Sequence, residues 1–120
     1  MKFDNEGLWK HAENIAYFCD KVINAMIAKN EPKTNVESVI NSINHIEGDC
    51  TKSTFVHTCT TVMEHTTLHT PSFKEAMKYA LALPEKGEDI NDNMTFPYFA
   101  TLVKFNIACY KNDWSIKDNK

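Results

Sequence analysis

The chain is expected to fold as an all-α protein, a single-domain bundle over residues 1–120 built from about five helices with a hydrophobic C-terminal helix at its centre. Three observations predict this. Apolar residues recur at spacings of three and four along most of the chain. Proline and capping residues punctuate these stretches at intervals suited to helices. The 42% apolar content lies well above the level at which chains stay unfolded, so 120 residues are enough for one buried core.

In the first stretch Leu8, Ala12, Ile15, Cys19, Val22 and Met26 alternate by four and three, with Trp9, Ala16 and Ile23 widening the stripe. A long amphipathic helix from Glu6 to Lys29 follows, ended by Asn30-Glu31-Pro32 because proline lacks an amide and restricts its predecessor. Thr34-Asn35-Val36-Glu37 reads as a capping box opening a second helix, with Val36, Val39, Ile40, Ile43 and Ile46 inward and Gly48 as the stop.

Residues 50–70 contain eight threonines, which favour strands by propensity. Periodicity points the other way. Phe55, Val56, Cys59, Val62, Met63 and Thr66 make one helical face, whereas a strand would be apolar on both sides. Pro71, with Ser72 and Glu75 as a second capping box, starts a fourth helix that buries Phe73, Ala76, Met77, Ala80 and Leu81 and ends at Pro84. After a polar loop, Thr95 caps and Pro97 opens the last helix, whose apolar residues from Phe96 to Tyr110 point nearly all round. Such a helix is expected to be covered by several neighbours. The tail beyond Trp114 is expected to fray.

All 13 basic residues are lysine. Arginine's planar fork is the usual reader of guanine edges and clamp of phosphates, so its absence argues against direct nucleic-acid binding and phosphoryl transfer. The N-terminus lacks the pattern of a secretory signal, and no run approaches the ~18 apolar residues of a membrane span. A cytoplasmic protein without membrane association is expected, its four cysteines reduced.

Cys50, Cys59, His65 and His69 are separated by eight, five and three residues, a zinc-finger-like spacing. A small zinc-binding domain, with nucleic acid as its ligand, is thus the alternative reading. If this segment is helical, a step of about 100° per residue places His65 roughly 120° from Cys59, which argues against a shared ion. His65 and His69 alone make an incomplete metal pair, while His11 and His45 read as solvated. The stretch Asp89 to Thr95 begins like a calcium loop, but Met94 and Ala100 stand where glycine and a bidentate glutamate are required. No nucleophile, phosphate cradle or cofactor fingerprint is legible, so neither catalysis nor a cofactor is expected.

The remaining signal lies on the surface. Glu85, Glu88, Asp89 and Asp92 against Lys86 leave a local charge of −3, equal to the charge of the whole chain. Phe96 and Tyr98 follow directly. Acidic residues beside rigid aromatics form a protein-binding edge, with charge steering a basic partner and rings anchoring it. The expected function is a non-catalytic inhibitor that sequesters a basic protein, such as a nuclease toxin. The bias toward Lys, Asn and Ile matches an AT-rich coding source, and in general character the chain resembles immunity proteins and phage anti-host inhibitors.

Overall fold

The boundaries of the helices follow from local hydrogen bonding. In the computed structural model, which describes residues 4–47, 49–66, 71–85, 94–112 and 114, five helices and no strand are found among the described residues. They are α1 (Asn5–Ala28), α2 (Lys33–Ile43), α3 (Lys52–Glu64), α4 (Pro71–Ala82) and α5 (Phe96–Lys111). None is long and apolar enough to cross a membrane.

Asp4 caps α1 by accepting the Gly7 amide at 2.6 Å. At the other end Asn30 takes φ 56°, so that Glu31 N–H reaches Met26 O and Asn30 N–H reaches Ile27 O. These paired bonds satisfy the last carbonyls, and asparagine tolerates the left-handed backbone they require. The helix therefore ends before Pro32, whose extended backbone serves as the N-cap of α2. This corrects the expectation that Thr34 caps: Thr34 lies inside the helix, and no side-chain bond caps its start. Nor does α2 continue toward Gly48, which lies outside the described residues. It ends at Ile43, and Ile46 is buried from the following turn.

The threonine-rich segment is helical as expected. Thr51 accepts from the Thr54 amide, and the Thr61 hydroxyl bonds back to His57 O. Buried Thr58 donates to Ser42 O, tying α3 to α2. Phe55, Cys59 and Val62 are inside, while Val56 and Met63 are half-buried. In α4 the second expected capping box does not form, because Ser72 is itself helical. The buried face of α4 is also rotated from the expected one. Tyr79 is inside and Leu81 is 37% exposed, since Tyr79 stacks on His11 and tilts against Phe99.

The first turns of α5 sit in the middle of the bundle. Phe96, Phe99, Ala100 and Val103 are fully buried; α1 packs along this helix, and Phe55 of α3 meets both Phe96 and Phe99 edge-on at 5.5 and 6.1 Å. α1 shares this central role, packing also on α2 and on α4, where Phe18 stacks on Phe73 at 4.0 Å. Aromatic pairs of this kind add about 0.5–1.5 kcal/mol to the area they bury. The later turns of α5 depart from the expected all-round cover: Phe105 is 60% exposed and Cys109 is exposed, with no helix among the described residues covering that side.

Candidate functional site

The loop between α4 and α5 is closed at its base. Phe96 N–H donates to Pro84 O at 2.9 Å, joining the last residue before the acidic stretch to the first residue of α5. On one stem, Lys52 at the start of α3 donates to Leu81 O at 2.9 Å and Leu83 O at 2.7 Å. Those carbonyls end α4 and have no helical partners of their own, and an ammonium there also complements the negative end of the helix dipole. Lys52 lies 3.7 Å from Glu85 as well, so one side chain fixes both the helix end and the first acidic residue. On the other stem, Met94 and Thr95 are buried, and Thr95 holds the N-cap of α5 without a side-chain bond to the first-turn amides.

The six residues expected to bind a partner divide sharply. Glu85 is exposed, on the Lys52 clamp. Glu88, Asp89 and Asp92 lie outside the described residues, as does most of the calcium-like stretch. Tyr98 is half-exposed and packs against the core edge. Phe96 is fully buried with its ring against Phe55, which corrects its expected role: it anchors the loop stem to the core and presents nothing to a partner. Lys52 was missed by sequence reasoning. Nothing around it distinguishes it from any other lysine, and only the fold brings it to the end of α4.

Cys59 is completely buried, whereas His65 is exposed at the C-cap of α3, so the two do not converge; His69 lies outside the described residues. No group of three or more His, Cys, Asp or Glu side chains among the described residues is placed to hold a metal ion. Burial pushes the Cys19 thiol up to about 12 and the Cys59 thiol well above its usual range, and Cys50 is also raised. Cys19 and Cys59, both fully buried, act as core filling.

His11 departs from its expected solvation. Its ring stacks on Tyr79 at 4.4 Å, and Nδ1 is buried without a hydrogen-bond partner among the described residues. Burial lowers its pKa, Lys10 adds to the effect and Glu75 opposes it. Protonating that nitrogen would bury an unsatisfied donor, which accounts for the direction.

Comparison of the chain with family models, with curated proteins and with solved structures gives no match.

Proposed function

We propose that this protein is a non-catalytic inhibitor of the immunity-protein or phage anti-host type that sequesters a basic protein partner, such as a nuclease toxin. The observation that carries the reading is the closed, clamped base of the acidic loop. A loop whose ends are bonded together and pinned to the core needs less ordering when it is engaged than one on free ends, which leaves more of the contact energy for affinity. Its local charge of −3 then supplies steering toward a positive surface.

The test is affinity capture from the native host with two baits, the wild type and a variant with Glu85, Glu88, Asp89 and Asp92 all changed to Lys. The wild type is expected to retain a basic protein and abolish its activity. The variant should still melt cooperatively, lowered only by the small loss of the Lys52–Glu85 pair, and should lose that protein. Equal capture by both baits overturns the proposal.

A further inference from the structure

A second acidic and aromatic surface lies on α1. Glu13, Tyr17 and Lys21 follow one another by four and Asp20 follows Tyr17 by three, so they lie on one side of the helix, Asp20 half-buried and the other three exposed. Tyr17 is 48% exposed, and the Lys21 ammonium sits 5.0 Å from the centre of its ring. The chain thus already lays one of its own cations on this face. Beside it, Asp20 is held in place through a single oxygen: Oδ1 accepts both the Trp114 indole N–H at 2.8 Å and the Asn24 amide at 3.1 Å. Among the described residues nothing donates to Oδ2. Half-buried Tyr110 belongs to the same surface; burial first, then the charges of Asp20 and Glu13, raises its hydroxyl pKa.

The combination is specific in its chemistry. Trp114 is a donor only, so it orients the carboxylate without competing for a cation. Tyr17 offers the negative face of its ring, and Glu13 stands one turn away. A planar guanidinium can lie on the ring and bond the carboxylate edge at once, which a lysine ammonium does less well. Lys21 would swing to solvent as the incoming guanidinium takes its place beside the carboxylates, so its displacement opposes docking.

We propose that Glu13, Tyr17, Asp20 and Trp114 form a docking surface for an arginine side chain of a basic protein, with Lys21 as the internal cation it displaces. This rests on the reading of the partner as basic but uses a surface separate from the acidic loop.

The test is an NMR titration at about 0.15 M salt, where exposed charges beyond about 8 Å are screened. The probe is a blocked tetra-arginine peptide, with blocked tetra-lysine and tetra-glutamate for comparison. Tetra-arginine is expected to shift the Trp114 indole N–H and Tyr17 ring signals saturably, more tightly than tetra-lysine, with no effect of tetra-glutamate. Tyr17→Ala and Asp20→Asn should each weaken binding by about three- to tenfold. Lys21→Ala should tighten it, a gain that misfolding cannot produce. The loop charge reversal should leave these shifts unchanged. Loss of host capture by the loop variant with intact peptide binding is compatible with this surface, while retained capture sinks the loop reading alone. No saturable shift at Trp114, equal response to tetra-lysine, indifference to Tyr17→Ala and Asp20→Asn, or weaker binding by Lys21→Ala would each overturn the proposal.

Discussion

Phe96 and Tyr17 each stand beside acidic residues, yet the fold uses them in opposite ways. Phe96 is fully buried among Phe55 and its neighbours, and its amide closes the acidic loop on Pro84. Tyr17 is nearly half exposed, with a cation already over its ring. The lesson is that an aromatic next to carboxylates is not by itself an interface anchor. What decides is whether the surrounding helices supply its partners or leave it to solvent.

The sharpest way to break this comparison is truncation of each ring. Phe96→Ala should destabilise the fold by about 3–5 kcal/mol, as expected for a fully buried phenylalanine, and Tyr17→Ala should change it by no more than about 0.5 kcal/mol. Urea denaturation measures both. Equal losses would mean that the two environments are not as distinct as their burial indicates.

The next largest contrast lies within the loop stem. Lys52→Ala removes two charged hydrogen bonds to the end of α4 and is expected to lose about 1–2 kcal/mol. Glu85→Gln weakens an ion pair whose acid is 52% exposed, and the loss of that pair should fall below about 0.5 kcal/mol. A double-mutant cycle in the same denaturation assay separates the helix-end bonds from the ion pair.

His11 is the intermediate case, a ring half inside the seam between α1 and α4, and its predicted effect is the smallest. Because its folded pKa lies below the ordinary 6.5, the neutral ring supports the fold fully above 6.5. That support is lost as the pH falls from 6.5 through the lower folded value. Between about pH 7.5 and about pH 5, the wild type should lose more melting temperature than His11→Phe, which keeps the stack on Tyr79 and has no nitrogen to protonate. Parallel melting curves across that range would contradict the assignment.

Much of the helical framework was legible in the sequence because periodicity reports it directly. The α1 stripe from Leu8 to Met26 is buried as read except for Trp9, which is 39% exposed, and α3 is a helix despite its threonines, which find partners within the helix and at Ser42 O. What was not legible depends on contacts distant in the chain. Whether Tyr79 or Leu81 turns inward is decided by His11 and Phe99. Phe105 reads as core material from its neighbours, yet it is left 60% exposed by the described helices. Thr34 reads as a cap, but Pro32 had already begun the helix. The candidate loop was visible as charge, while its clamp was not, since Lys52 precedes Leu81 by 29 positions. The α1 surface was invisible for the same reason: Trp114 reaches Asp20 across 94 positions.

We propose that the buried side chains serve the fold while separate outer surfaces catch a basic protein. The most direct measurement pairs melting temperature with capture of that protein for the wild type, the four-residue loop reversal and Tyr17→Ala. Melting is expected to fall by no more than the small losses of the Lys52–Glu85 pair and of the Tyr17 ring, with capture reduced in both variants. Undiminished capture by both, with melting no lower than that, would contradict the proposal.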